Sequence, residues 1–173
     1  MNIRLISAIL FMAMPFVGMF AATDNAAPAA QKEVKTSVVR QAPAVAPAGL
    51  LDAIVAEHKG KVVVVDLWAT WCGPCRMGMT EIEPYKAELA EKGVDFVYIT
   101  NETSPEETWK KMIPGIPGTH YRVPVAVMEN MKIPGFRNSI PHYIIYKADG
   151  TLSSTQTGWL GAETLIEAIK KAF

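Results

Sequence analysis

The sequence predicts an α/β domain of three layers, in which helices cover both faces of a mixed central sheet. Two apolar, β-branched runs, residues 62–68 and 94–100, have the composition of strands buried on both faces. A helical pattern lies between them, so these strands should be parallel and joined by a right-handed crossover. A hairpin and a last amphipathic helix follow, and the hairpin makes the sheet a mixed one.

The first 22 residues have the layout of an export signal. Arg4 precedes an uncharged apolar run over residues 5–22, and Thr23 and Asp24 end that run. A positive start, an apolar middle and small residues near the end are typical of a secretory signal peptide. A retained membrane anchor is the alternative, because ~18 apolar residues approach the length that spans a bilayer. Both interpretations place the rest of the chain outside the cytoplasm.

The remaining chain divides into a linker and one domain. Residues 23–49 are rich in Ala and Pro and show little helical or strand periodicity, so we expect a linker there. Residues 50–173 form the expected domain, which is long enough for a sizeable core. Lys plus Arg and Asp plus Glu number 17 each, so no basic excess attracts nucleic acid, and we expect no such partner. We also expect a monomer.

Two helices are predicted in the first half of the domain. A short helix over residues 50–58 ends at Gly60. A longer helix is expected over residues 73–92, ended by Gly93, and Pro84 inside it should kink it. Its buried face consists of side chains that recur at steps of three and four residues: Met79, Ile82, Lys86 (through its aliphatic stem) and Leu89.

The segment after the second strand should begin with a helix. Ser104, Pro105 and Glu107 match a capping box with proline at the first helical position. This pattern predicts a helix over residues 105–113, and the Pro-Gly-rich residues 114–118 predict a loop.

An extended segment is expected next, over residues 121–128. Pro124 lacks the N–H that a central strand needs, which predicts a strand at the edge of the sheet. A short helical turn is expected within residues 129–136.

The chain should end with a hairpin and a helix. Residues 142–146 predict a strand, a tight turn follows at Asp149 and Gly150, and residues 151–157 return beside the strand. The last helix has one apolar face, formed by Leu165, Ile166, Ile169 and Phe173.

The two cysteines, Cys72 and Cys75, are the only ones in the chain. A bridge between them closes a very small loop and would constrain little of the unfolded chain, so a purely structural role is weak. Two thiolates fall short of the four ligands of a structural zinc site, and the three histidines are scattered along the sequence. We therefore expect no metal and no cofactor, and reversible redox chemistry explains the pair best.

The position of the cysteines favours that chemistry. Cys72 should start a helix and be the more exposed, with Cys75 one turn further in. The free N–H groups and the dipole of a helix start stabilise a thiolate, which is the species that attacks a disulfide. Asp66 lies inside a buried strand, where desolvation raises the pKa of a carboxyl group toward that of a general base. A satisfied structural acid is the alternative for Asp66.

Two segments resemble the thioredoxin superfamily. Residues 68–75, WATWCGPC, with Asp66 six positions before Cys72, resemble its active-site segment, and residues 140–150, IPHYIIYKADG, resemble its second half. The resemblance covers residues 50–173. With the export signal and an extra segment over residues 103–138, the chain looks most like the extracytoplasmic TlpA-type branch. This implies a thioredoxin fold with an inserted segment before the cis-proline strand.

The resemblance also implies residue roles. Cys72 would be the attacking nucleophile, Cys75 the resolving thiol, and Asp66 the acid that moves protons near Cys75. Pro141 would be a cis-proline facing the disulfide, where the backbone of a substrate docks with Ile140. Substrate contacts are further expected at Trp71, Gly73 and Pro74, whereas Trp68 should belong to the core.

Three positions add to this comparison. Thr80 stands where the family often has a proline. The strand at residues 94–99 carries no lysine, although cytosolic thioredoxins have one near the buried acid. His142 is expected to be either a substrate contact or a solvated histidine at a strand start.

The implied activity is thiol-disulfide exchange with protein disulfides in the bacterial periplasm or cell envelope. Gly-Pro between the cysteines resembles reducing members, so a reductase is expected, as in members that serve cytochrome c maturation. It would need an electron donor such as a membrane thiol-disulfide transporter. The alternatives are a disulfide oxidase or isomerase, and a non-catalytic binding module of the same fold.

Overall fold

The computed structural model describes residues 36–173, so the expected signal or anchor at residues 1–22 lies outside the described residues. The strands are β1 (Ser37–Val39), β2 (Val62–Leu67), β3 (Val94–Asn101), β4 (Gly118–Val123), β5 (His142–Tyr146) and β6 (Leu152–Thr157). The helices are α1 (Pro47–Ala56), α2 (Gly73–Glu91), α3 (Glu106–Met112), α4 (Val125–Glu129) and α5 (Ala162–Lys170), with a 3₁₀ turn at Ile113–Gly115. Within residues 36–173, no helix is both long and apolar enough to cross a membrane.

The six strands form one mixed sheet in the order β1-β4-β3-β2-β5-β6. β1, β4, β3 and β2 are parallel, and β5 and β6 are antiparallel to their neighbours. The predicted parallel β2–β3 pair and the predicted hairpin are confirmed.

The two faces of the sheet carry two separate apolar clusters. Val62 and Val64 of β2 face a cluster with α2 and α5, whereas Val63, Val65 and Leu67 face one with α1 and the segment after α4. Because side chains alternate along a strand, Asp66 faces α2 together with Val62 and Val64. The predicted three-layer α/β/α architecture is confirmed.

The domain begins earlier than residue 50, because secondary structure is already present within the predicted linker of residues 23–49. β1 pairs with β4, the Ser37 hydroxyl donates to the carbonyl of Ile116 at 2.9 Å, and α1 already starts at Pro47. A strand of three residues whose partner lies some 80 positions away leaves no periodic signal in the sequence.

The predicted capping box before α3 is wrong. Pro105 occupies the N-cap position, and no side chain of residues 36–173 caps the helix. The Ser104 hydroxyl is buried, 2.7 Å from Thr100 Oγ1, and it accepts a hydrogen bond from the backbone N–H of Thr70 at 3.0 Å. A buried N–H has no water as an alternative partner, whereas the helix start is exposed to solvent.

The segment around Pro124 also differs from the prediction. The strand ends at Val123, and β4 is interior because β1 covers its outer side. Pro124 lies beyond the strand as the N-cap of α4, so its missing N–H weakens no strand pairing. The helical turn expected at residues 129–136 lies earlier, at Val125–Glu129.

α5 buries a narrower face than expected. Leu165 and Ile169 are buried as predicted, but Phe173 is 64% exposed and Ala172 takes the buried position near the C-terminus.

Candidate active site

The two cysteines lie where the chain leaves β2 and enters α2. They form a disulfide with a Cα–Cα distance of 5.3 Å. Cys72 is 4% exposed and Cys75 is fully buried, while Gly73 and Pro74 between them are exposed. Cys72 is the N-cap of α2, and its Sγ accepts a hydrogen bond from the backbone N–H of Cys75 at 3.2 Å. The N–H of Cys75 at the helix start therefore points at the sulfur of Cys72, where it stabilises negative charge.

The loop before Cys72 is fixed from the neighbouring strand. Trp68 is buried, as predicted, and its backbone N–H donates to the carbonyl of Ile99 at 3.1 Å. Trp71 is 61% exposed, and its indole Nε1 donates to Thr103 Oγ1 at 3.3 Å. The loop after β3 thus holds a large aromatic surface beside Cys72.

A distant part of the chain completes this end of the sheet. The Ile140–Pro141 peptide bond is cis, as the resemblance predicted. His142 pairs with Leu67 across β5 and β2, which places Pro141 beside the start of the cysteine loop. The carbonyl of Pro141 accepts a hydrogen bond from the N–H of Gly158 at 2.8 Å, so the loop after β6 also lies here.

His142 is neither a substrate contact nor a solvated residue, which corrects both expectations. It is fully buried, with Nδ1 2.8 Å from Thr157 Oγ1 and Nε2 2.8 Å from the carbonyl of Pro134. Burial lowers the pKa of His142. Its role in the structure is to link β5 to β6 and to the segment after α4.

Asp66 is buried, with 3% of its surface exposed, and its Oδ1 has no hydrogen-bond partner among residues 36–173. Desolvation raises the pKa of this carboxyl group to about 8, and the positive charge of Lys86 partly opposes the rise. Such an acid gains and loses a proton near neutral pH, which suits proton transfer to and from a thiol.

The cation near Asp66 is Lys86, which comes from α2 rather than from β3. Its Nζ donates to the carbonyl of Pro117 at 2.9 Å, lies 3.1 Å from Glu83 Oε2, and stands 5.0 Å from the centre of the Tyr98 ring. The lysine that the sequence of β3 lacks is therefore supplied from another element. The periodicity of the apolar residues in α2 placed Lys86 on the buried face of that helix. Periodicity alone does not show that Lys86 lies near Asp66.

A cavity of about 610 Å³ opens between α2 and the segment that follows α3. It is lined by Arg76, Met79, Thr80, Glu83, Pro84, Met112, Gly115 and Ile116. Thr80, the position that departs from the family pattern, lies in its wall and donates to the carbonyl of Arg76 at 3.0 Å.

Known proteins resemble this chain in sequence. The family model of Redoxin matches residues 22–160. Thioredoxin of Listeria monocytogenes is 32% identical over 112 residues, which cover 64% of this chain and 82% of that protein. Thiol-disulfide oxidoreductase ResA of Oceanobacillus iheyensis is 39% identical over 46 residues, covering 27% of this chain and 24% of that protein. In the first four curated relatives, the match covers between 24% and 57% of the relative's length.

The structural comparison agrees. A thiol:disulfide interchange protein of the thioredoxin family from Chlorobium tepidum TLS superposes with a TM-score of 0.57 at 25% identity. The superposition covers 68% of this chain and 83% of that chain. The architecture described above is thus a thioredoxin-like fold.

Proposed function

Because the chain belongs to the Redoxin family and carries a disulfide at the start of α2, we propose that it is a thiol-disulfide oxidoreductase acting on protein disulfides. The observation that carries this proposal is the Cys72–Cys75 bridge, with the N–H of Cys75 directed at Cys72 Sγ. Such a bridge adds little to stability, but it can open and close reversibly.

The first step belongs to Cys72. In the reduced protein its thiolate, stabilised by the helix start, attacks one sulfur of the substrate disulfide. The substrate S–S bond breaks, one substrate sulfur leaves as a thiolate and takes a proton, and the other remains bound to Cys72. Trp71, Gly73, Pro74, Ile140 and Pro141 bind the substrate around this sulfur.

The second step belongs to Cys75. Its thiol gives its proton to the Asp66 carboxylate, and the resulting thiolate attacks Cys72 Sγ. The mixed disulfide breaks, the second substrate sulfur leaves as a thiolate and is protonated, and the Cys72–Cys75 disulfide forms. The substrate has gained two electrons, and the enzyme has lost them.

We assign the enzyme the direction of a reductase outside the cytoplasm. The Gly-Pro pair between the cysteines supports the direction, and Arg4 with the apolar run over residues 5–22 supports export to the periplasm or cell envelope. A membrane thiol-disulfide transporter is the proposed electron donor, and cytochrome c maturation a proposed setting. A reduction potential of about −270 mV supports the reductase, and one of about −120 mV supports the oxidase instead. Recovery of the protein from the cytosolic fraction of its host contradicts export.

Turnover of a disulfide substrate tests the proposed activity. We expect Cys72→Ser to reduce the rate of dithiothreitol-driven insulin reduction to the uncatalysed background, because the thiol that remains, Cys75, is fully buried and cannot reach the substrate. Lys92→Ser, a change at the far end of α2, serves as the matched control and should keep the rate of the natural sequence. Full activity in Cys72→Ser contradicts the proposal.

A further inference from the structure

A row of polar side chains crosses the apolar core at the level of Asp66. Tyr98 of β3 and Tyr143 of β5 are the register partners of Asp66 on its two sides, and His120 of β4 is the partner of Tyr98. Register partners on neighbouring strands point to the same face of a sheet, so all four side chains face α2. We call His120, Tyr98, Asp66 and Tyr143 the polar row.

The polar row is almost completely buried and poorly satisfied. The four residues are exposed by 0%, 1%, 3% and 2% in the order just given. Each has one buried polar atom without a hydrogen-bond partner among residues 36–173, namely His120 Nδ1, Tyr98 Oη, Asp66 Oδ1 and Tyr143 Oη. A buried polar atom without a partner costs stability, and a run of four in adjacent register positions points to a shared use.

The charges around the polar row come from α2. Lys86 lies over the Tyr98 ring, and Glu83 lies 3.1 Å from Lys86 Nζ as its ion-pair partner. His120 stacks on Tyr98 with ring centres 4.9 Å apart, and burial lowers the pKa of His120 to about 4, which makes its ring neutral. Its Nε2 lies 2.7 Å from the carbonyl of Ile116, which can only accept, so the ring proton is on Nε2.

At the other end of the polar row, Gly78 of α2 leaves room for Tyr143 because glycine has no Cβ atom. A Cβ atom at Gly78 of α2 would lie 2.6 Å from Tyr143 Oη and 2.8 Å from the Trp159 ring. The Trp159 indole covers this place, with Nε1 donating to Glu81 Oε2 at 3.1 Å. Glycine at this position therefore lets the Tyr143 hydroxyl lie against α2, one turn after Cys75, with bulk solvent excluded.

We propose that Tyr98 and Tyr143 are positioning residues for thiol-disulfide exchange, which donate hydrogen bonds to the ionised Asp66 carboxylate through a water molecule bound between them. The inference rests on the proposed function, because it gives Asp66 the role of accepting the Cys75 proton. A bridging water is needed because neither hydroxyl forms a direct hydrogen bond with Asp66. Water can accept from a tyrosine and donate to the carboxylate, and buried waters occupy such polar sites.

The two donors oppose the effect of burial on Asp66. Desolvation favours the neutral acid, which cannot accept a proton from Cys75. Hydrogen bonds donated to the charged form favour the carboxylate, and Lys86 acts in the same direction. Removal of a tyrosine hydroxyl should therefore raise the pKa of Asp66.

The test is a carboxyl-carbon NMR titration of Asp66 in the disulfide form, in which the cysteines do not titrate. We expect Tyr98→Phe and Tyr143→Phe each to move the Asp66 midpoint upward by about one pH unit, and the double variant to move it further. Tyr146→Phe is the matched control, because Tyr146 lies on the same strand but in the cluster on the opposite face. It should leave the midpoint unchanged.

The titration needs no turnover, so its outcome is independent of the proposed function. An unchanged or lowered Asp66 midpoint in both single variants overturns the inference, even if Cys72→Ser confirms the activity. A second readout is the pH profile of the step in which Cys75 resolves a mixed disulfide. Its midpoint should move upward with that of Asp66 in the tyrosine variants, and a loss of stability alone would not move it.

Discussion

Asp66 carries a carboxyl group at a position where burial disfavours its charged form. A carboxyl group near the end of a central strand gives up its hydration, and its Oδ1 receives no hydrogen bond from residues 36–173. The positive charge of Lys86 on α2 opposes this effect, and the inferred hydrogen-bond donors are Tyr98 on β3 and Tyr143 on β5. The residue is explained better by proton transfer than by stability.

In the disulfide form, the free energy of unfolding of Asp66→Asn should therefore increase relative to that of the natural sequence as the pH rises. The pKa of Asp66 is about 8 in the folded protein against 3.8 for the solvated group, so the folded state binds more protons between these values. The contribution of Asp66 to folding stability then falls from pH 4 to pH 8, and asparagine removes this loss. We expect the variant to gain on the order of 4 kcal/mol at pH 7 relative to pH 4.

Urea unfolding of both proteins at several pH values measures this difference. Asp149→Asn is the control, since that carboxyl group is solvated and its side-chain oxygen can still accept from Thr151. A stability difference that stays flat from pH 4 to pH 8 would show that Asp66 is not held protonated by burial.

At the scale of elements, α2 contributes three separate features to the candidate site. Its start presents Cys72 and Cys75, the second turn leaves room at Gly78, and the fourth turn places Lys86 over β3. The same buried face carries all of them, since Cys75, Met79, Ile82, Lys86 and Leu89 are its buried residues together with Gly78.

Gly78→Ala should destabilise the protein by about 1–3 kcal/mol, because the new methyl group would meet the Tyr143 hydroxyl and the Trp159 ring. Gly49→Ala in α1 is the matched control, since a methyl group there meets no atom of residues 36–173 within 4 Å and alanine favours a helix. Thermal unfolding of the two variants compares them. Equal midpoints would mean that α2 can shift away without cost.

The elements that sequence predicted well are long or strongly periodic. β2, α2, β3, β5 and α5 carry their apolar patterns within a single segment, so local sequence determines them. β1 escaped detection because three residues have no period, and Ser104 was misassigned because its true partners, Thr70 and Thr100, are brought to it only by the fold. Lys86 was placed on the correct face, but its relation to Asp66 needed the packing of α2 on the sheet.

At the scale of the whole molecule, the sheet order brings together segments that are far apart in sequence. β5 inserts beside β2, so Pro141 reaches the cysteine loop although about 70 residues separate them. The resemblance to thioredoxins, rather than any local pattern, allowed Pro141 to be predicted. Spacing alone could not predict that Tyr98, Asp66 and Tyr143 share one level of the sheet, because register depends on pairing across strands.

The central claim is that Cys72 attacks the substrate and Cys75 resolves the mixed disulfide. The mass of a trapped complex tests it most directly. Reduced Cys75→Ser is mixed with an excess of a disulfide-linked peptide, and the mass of the intact protein is measured by mass spectrometry under non-reducing conditions. We predict one peptide bound through Cys72, released by dithiothreitol, and no adduct in Cys72→Ser, because Cys75 is fully buried. An adduct on Cys75, or none in Cys75→Ser while the unaltered protein reduces the same peptide, would contradict the account.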